Sequence, residues 1–290
     1  MEIQQLRALS AVANTGSFEG AAGALHVTSS AISQRIKALE TSVGRTLVRR
    51  TKPAGLTDSG ATILRLARQI ETLTADAERE LDVVRAATVV PLAINADSLA
   101  TWVLPALADL SDAISFEIHR EDQELSTTLL RDGTVMAAIT SSADAVNGCS
   151  VSDLGIMRYR PVASFAFAAR WFPGGLSLEG LSRAPMVVFD RVDDLQTSYL
   201  RLVSSRSLTP PQHFIPASRD FAEAICQGFG WGMLPVQQYE SLVAEGQVVI
   251  LDAERSIDVA LYWQQWKLRS GLLDRVAEAI LLGGRAALDH

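Results

Sequence analysis

Residues 17–40, SFEGAAGALHVTSSAISQRIKALE, constrain the fold more than any other stretch of the chain. They read as two short amphipathic helices with a tight polar joint, the smallest unit that places a helix in the major groove of DNA. Ser17 can cap the first helix, Glu19 suits its first turn, and Ala21, Ala22 and Leu25 supply its packing face. The joint is His26-Val27-Thr28. Thr28 or Ser29 then offers a cap for the second helix, where Ile32, Ile36, Leu39 and Val43 recur at helical spacing. At about 100° per residue, Ser30, Ser33, Gln34, Lys37 and Thr41 fall opposite that apolar stripe. This face holds hydroxyls, a glutamine able to contact adenine at two points, and a lysine for phosphate or guanine, but no carboxylate. An ordinary helical hairpin with a solvated face is the competing reading of these residues alone.

The flanks narrow that choice. Ile3, Leu6, Leu9 and Val12, spaced at three, predict a helix ended by Gly16 and packed behind the pair. After Glu40, Leu47 and Val48 lie among basic residues and Pro53-Ala54-Gly55 marks a turn, so a short hairpin carrying Arg49, Arg50 and Lys52 is expected to lay positive charge on phosphates or in the minor groove. Thr57 caps a long helix reaching about Arg85 or Ala87. Along it Ile63, Leu66, Ile70, Leu73, Ala77, Leu81 and Val84 form nearly a heptad seam. Some ~29 helical residues would extend ~43 Å, more than the small head can cover. The seam therefore asks for a partner: a second copy of the helix, or a surface of its own chain.

Composition and charge exclude several classes. The chain has 290 residues, of which 48% are hydrophobic and 20% charged, enough for a small and a larger domain. Its net charge is -7, yet residues 1–60 carry seven cations against four carboxylates, a net +3, leaving -10 for the remainder. Indiscriminate coating of nucleic acid is excluded by that balance, while a basic head is not. No apolar stretch fits a signal peptide or a membrane span, so a cytoplasmic protein without membrane contact is expected. Cys149 and Cys226 are isolated, and His26, His119, His213 and His290 are scattered, which points to no disulfide framework, no metal site and no cofactor. Gly228-Phe229-Gly230-Trp231-Gly232 follows a helix and leads into a strand, the reverse of a nucleotide-binding turn. With no G-x-S-x-G, H-E-x-x-H or P-loop, nothing nominates a catalytic centre.

From Val89 onward the pattern alternates. Strands are expected at 89–93, 114–118 and 135–140 and helices at 98–110 and 125–131, an open α/β unit. A second lobe is expected from near Pro161, with strands at 186–189 and 214–216 and helices at 194–203 and 221–227. The chain then returns through 260–264 and ends in a helix over 272–288. In such folds ligands lie beyond the carboxyl ends of strands, where helix N-termini point. Asp97 and Ser98 stand at such a place: Ser98 and nearby amides suit a ligand carboxylate, while Asp97 either caps the helix or meets an ammonium group. Glu121, Asp122, Asp190, Asp193 and Asp194 follow strand ends and suit a cationic group, and Thr140, Ser141 and Ser218 could complete the hydrogen bonds. Ordinary turn chemistry explains each hydroxyl equally well.

The order of these features resembles one family. Ala21-Ala22, the run Ser29-Ser30-Ala31-Ile32-Ser33-Gln34-Arg35-Ile36-Lys37-Ala38-Leu39-Glu40, then Gly44, Leu47 and Leu56-Thr57-x-x-Gly60 look like the LysR-type transcriptional regulators. Asn95 to Trp102, Glu121-Asp122 and Tyr262-Trp263 further resemble the subgroup that controls export of lysine and arginine. The resemblance covers the whole chain. It implies an α/β protein overall: a winged helix-turn-helix over 1–57, a linker and dimerisation helix over 58–88, and a two-lobed periplasmic-binding-protein-like effector domain over 89–290. Lobe I would take about 89–160 and 267–290, and lobe II about 161–266. It also implies double-stranded DNA with an inverted-repeat operator, a lysine or arginine effector, a homodimer or dimer of dimers, RNA polymerase as a further partner, and no enzymatic activity. An aromatic or organic acid as effector is the alternative within the family. A solute-binding protein or an enzyme with a regulatory head is the alternative outside it.

Overall fold

A computed structural model describes residues 1–81, 88–121 and 123–290. The head is built from α1 (Ile3–Thr15), α2 (Phe18–Ala24), α3 (Ser29–Val43), a hairpin of β1 (Val48–Arg49) and β2 (Gly55–Leu56), and the first turns of α4 (Asp58–Glu80). Its capping is local and legible. Ser17 accepts from the Gly20 amide at 2.9 Å and Thr28 from the Ala31 amide at 3.2 Å, while Gly16 and Gly44 end α1 and α3 in the left-handed region. His26, at φ 53°, turns the chain between α2 and α3. Leu6, Leu9, Val12, Ala21, Ile32, Ile36 and Leu39 meet in one core. Ile3 does not join them and is exposed, because a spacing of three slips backward by about 60° per step on a helix of 3.6 residues per turn.

Two contacts fix the β1–β2 hairpin, the wing, to α3 and to α4. Glu40 at the end of α3 accepts from the Leu47 and Val48 amides at 2.8 and 3.2 Å. Gly60 lies so close to the wing that a Cβ there would stand 2.1 Å from the Leu47 carbonyl oxygen, so only glycine fits.

The larger domain follows as β3 (Thr88–Ile94), a helical stretch comprising α5 (Ala96–Ser98), a π-helical turn (Leu99–Val103), α6 (Leu104–Leu107) and a 3₁₀ turn (Ala108–Leu110), then β4 (Ile114–Arg120), α7 (Gln123–Asp132), β5 (Ala137–Thr140) and β6 (Cys149–Ser164). Next come α8 (Phe165–Trp171), α9 (Leu178–Arg183), β7 (Met186–Val188), α10 (Leu195–Val203), β8 (Gln212–Phe214) and α11 (Ser218–Cys226). The chain closes with β9 (Gly232–Pro235), α12 (Val236–Ala244), β10 (Val248–Ile250), β11 (Ile257–Trp266) and α13 (Gly271–Ala287). The glycine run at 228–232 is the expected helix-to-strand connection between α11 and β9.

One seven-stranded sheet runs through both lobes in the order β10-β6-β11-β5-β3-β4, with β9 also paired to β6. β6 makes this continuity. Its residues 149–159 pair antiparallel with β11, and its far end pairs with β9 and β10. The lobe boundary expected at residue 161 therefore falls inside a 16-residue strand.

α4 does not stand apart from the larger domain. Its buried side is Leu64, Ala67, Arg68 and Thr72, and Ile63 and Ile70 are partly covered by the head. Arg65 donates to the Asn147 carbonyl at 2.9 Å, Arg68 to the Thr134 carbonyl and, at 2.6 Å, to Asn14, and the Leu272 amide donates to Asp76 at 3.3 Å. Of the two kinds of partner expected for this helix, its own chain supplies part of the cover: polar residues between the apolar seam positions tie it to lobe I. Leu73 and Leu81 remain 44% and 75% exposed, and Ala77 is exposed beside them. Val84 lies outside the described residues, as does the expected helical end at 85–87. No described helix is long and apolar enough to cross a membrane.

Candidate functional site

Two sites face solvent, one on each domain. On the head, Thr28, Ser30, Gln34 and Lys37 are exposed and Ser29 and Ser33 half-buried along one side of α3, while Ile32, Ile36 and Leu39 fill the core behind them. The wing sets Arg49, Arg50 and Lys52 in solvent, with the Arg50 guanidinium 5.4 Å from the centre of the Phe18 ring at the start of α2. Hydroxyls, an amide and four cations on one surface, held by a packed three-helix core, suit a groove lined by phosphates.

In the larger domain a cleft of about 890 Å³ opens between the lobes. Asp97, Asp190, Asp193, Asp194 and Asp258 line it together with Tyr159, Phe189, Gln196, Phe221 and Met233, and no lysine or arginine is among its described lining residues. Asp258 is neutralised by Arg158 at 3.0 Å. The other four aspartates have no cation paired to them among the described residues of the cleft. Asn95, rather than Asp97, caps the helix, its Oδ1 accepting from the Ser98 amide at 2.7 Å.

That leaves the Asp97 carboxylate free to reach across the domain. It accepts from the Tyr159 hydroxyl of β6 at 2.9 Å and from the Ser218 hydroxyl of α11 at 2.7 Å, and Gln238 of α12 donates to Ser218 at 2.7 Å. Lobe I is thereby latched to lobe II at the cleft floor. Burial pushes the Asp97 carboxyl up from its ordinary value, against the lowering effect of those two donors. Asp193 is also raised, chiefly by burial, although the Leu195 and Phe189 amides bind its two oxygens at 3.0 and 3.1 Å.

The remaining candidates are placed differently. Asp190 lines the cleft and accepts from the Val192 and Asp193 amides. Ser218 reaches the cleft through Asp97. Ser98 is fully buried, its hydroxyl without a partner among the described residues, and it is not part of the lining. Thr140 is fully buried and serves the fold, joining Gln264 and the Ser142 carbonyl. Glu121 is half-buried outside the cleft lining, Ser141 is within it, and Asp122 lies outside the described residues. Tyr159 and Gln238 had no signal in the sequence, since their partners Asp97 and Ser218 lie 62 and 20 positions away, and Gln196, though next to Asp193 and Asp194, is an uncharged residue inside a helical pattern with nothing local to single it out.

A basic head bearing a winged helix-turn-helix, joined by a long helix to a two-lobed binding domain, is the architecture of a ligand-responsive transcription factor, and the chain belongs to the LysR family. Residues 3–61 match the bacterial regulatory helix-turn-helix protein model of the lysR family, and residues 89–282 match the LysR substrate binding domain. Among its relatives is the HTH-type transcriptional regulator LysG of Mycobacterium tuberculosis, 41% identical over 278 residues that cover 95% of this chain and 91% of that one. The crystal structure of ArgP from the same organism superposes with a TM-score of 0.86 at 40% identity, covering 98% of each chain. Full-length LysG from Corynebacterium glutamicum with bound effector Arg superposes with a TM-score of 0.78 at 35% identity over 100% of both chains.

The raised Asp97 carboxyl has a definite consequence for stability. A folded-state value above the unfolded one, about 3.9 for aspartate, means that the folded chain holds the proton more tightly. The stability withheld by ionised Asp97 at neutral pH returns as pH falls through the raised value, and is fully present below the unfolded one. Thermal unfolding of wild type and Asp97→Asn from neutral pH down to just below the unfolded aspartate value checks this: wild-type Tm should gain on the variant as pH falls. A constant difference in Tm would count against the raised carboxyl.

Proposed function

We propose that this chain is a cytoplasmic transcriptional regulator, not an enzyme, that senses lysine or arginine in the interlobe cleft and controls an exporter gene for that amino acid. The observation that carries this reading is the cleft lined by four aspartates without a paired cation among the described residues, which favours a cationic ligand over an organic acid. The relatives named for lysine export and the relative with bound effector Arg support the same class of ligand. Isothermal titration of the full chain with lysine, arginine, histidine and benzoate tests it. Heat is expected with lysine or arginine, and heat with benzoate alone would overturn the reading in favour of an organic acid.

Thr28, Ser29, Ser30, Ser33, Gln34 and Lys37 read the half-site, and Arg49, Arg50 and Lys52 hold the flanking backbone. Footprinting and binding at several salt concentrations separate the two roles. Lys37→Ala should weaken binding to all sequences alike and lower the salt slope by ~0.9 for one phosphate contact. Gln34→Ala should relax preference at one base pair, at ~1–3 kcal/mol of discrimination. Protection that survives both substitutions together would remove α3 as the reading element.

The dimerisation seam runs along α4 and just past its end through Ile63, Leu66, Ile70, Leu73, Ala77 and Leu81, with Ile63 and Ile70 partly covered by the head and Leu73, Ala77 and Leu81 open to a second copy. The dimer presents two reading heads to an inverted repeat, and the latch and cleft alter their spacing when ligand favours one lobe arrangement. Paired dimers and RNA polymerase complete the assembly. Leu73→Glu combined with Leu81→Glu should shift the sedimentation profile toward monomer, and an unchanged profile would show that another face pairs the chains.

A further inference from the structure

One polar side chain at the cleft has no partner among the described residues. Gln196, in the first turn of α10, is 1% exposed and lines the cleft, and neither its Oε1 nor its Nε2 makes a hydrogen bond. The aspartates around it are engaged at least in part: Asp97 by Tyr159 and Ser218, Asp193 and Asp190 by backbone amides, Asp194 by the Ser198 hydroxyl. A buried amide with none of its hydrogen bonds made is destabilising, whereas an apolar side chain of the same size is not. α10 has no evident need for the amide, since its other buried side chains, Tyr199 and Leu200, pack into the apolar core. A polar group kept at the wall of a cavity without internal use belongs to what the cavity binds.

We infer that Gln196 is a ligand-contacting residue of the effector cleft, its amide carbonyl accepting an N–H from the cationic end of the bound amino acid. This rests on the basic-amino-acid reading above. A neutral acceptor adds a directional bond among the aspartates without a further negative charge, so it sharpens the fit at no added repulsion between wall groups.

Titration calorimetry and thermal unfolding of the full chain test the assignment with wild type, Gln196→Leu and Gln196→Glu. Gln196→Leu should keep or raise the Tm without ligand and weaken arginine or lysine binding by about tenfold or more, the loss expected for a hydrogen bond to a charged group. Gln196→Glu retains an acceptor and should bind within about threefold of wild type or tighter. Wild type that binds neither amino acid overturns the basic-amino-acid reading and this assignment together. Wild type that binds while Gln196→Leu binds equally well overturns the assignment alone. A parallel loss of Tm and affinity in Gln196→Leu overturns it as well, because the amide then serves the fold. Should Gln196→Glu bind as poorly as Gln196→Leu, the carbonyl is not the contact atom and the assignment falls.

Discussion

Arg68 sits in the middle of a helix shared by two cores, and its guanidinium donates to Asn14 in the head and to the Thr134 carbonyl in lobe I. Burial draws its pKa down, while Glu117, Glu71 and Asp132 act in the opposite direction. A guanidinium does not shed its proton under such conditions, so removing either acceptor would leave a buried charge poorly compensated. The head and the effector domain therefore share a buried polar junction through Arg68. Arg65 strengthens the same junction through the Asn147 carbonyl and the Cys149 sulfur, and the close approach of Gly133 to the Arg65 backbone leaves no room for a larger residue there. α4 thereby links lobe I to the helices packed on its first turns.

On the proposed reading, the cleft supplies a reason for lobe I to move. Asp97 accepts from Ser218 across the lobes and from Tyr159 on the strand that runs through both of them. That carboxylate is also one of four that give the cleft its negative field. On the same reading, a cation entering the cleft would lower the energy of ionised Asp97 and change how strongly the latch holds. Differential affinity for two lobe arrangements is the requirement for a switch, and the latch lies where a ligand can exert it. At the other end, Glu40 of α3 accepts from the wing amides, so α3 and the wing are packed as one unit.

Much of this was written locally. Ser17, Gly16, Thr28, Gly44 and Thr57 act at the helix ends where their residue types suit them, because a cap depends on neighbours within about four positions. The alternation of strand and helix after residue 88 was legible for the same reason: hydrophobic period is a local signal. Asp97 and Asp190 could be nominated because they follow strand ends, where open α/β folds bind ligands. Thr140 carried the same signal, but the tertiary structure turns it inward to Gln264, 124 residues away. Residue type and position at a strand end do not say which way the side chain is used.

By itself, then, the sequence determined the helix-turn-helix head, the wing, the long amphipathic helix and the two-lobed α/β character, since each follows from short-range spacing, capping or charge. Tertiary structure alone decided three other things: that β6 passes through both lobes, that Arg65 and Arg68 fasten α4 to lobe I, and that Tyr159, Ser218, Gln238 and Gln196 gather around the aspartates. Apart from Gln196, which lies beside Asp193 and Asp194 in the chain, those contacts join residues twenty to more than a hundred positions apart. Their partners are chosen by how the whole chain packs, and no local pattern records that choice.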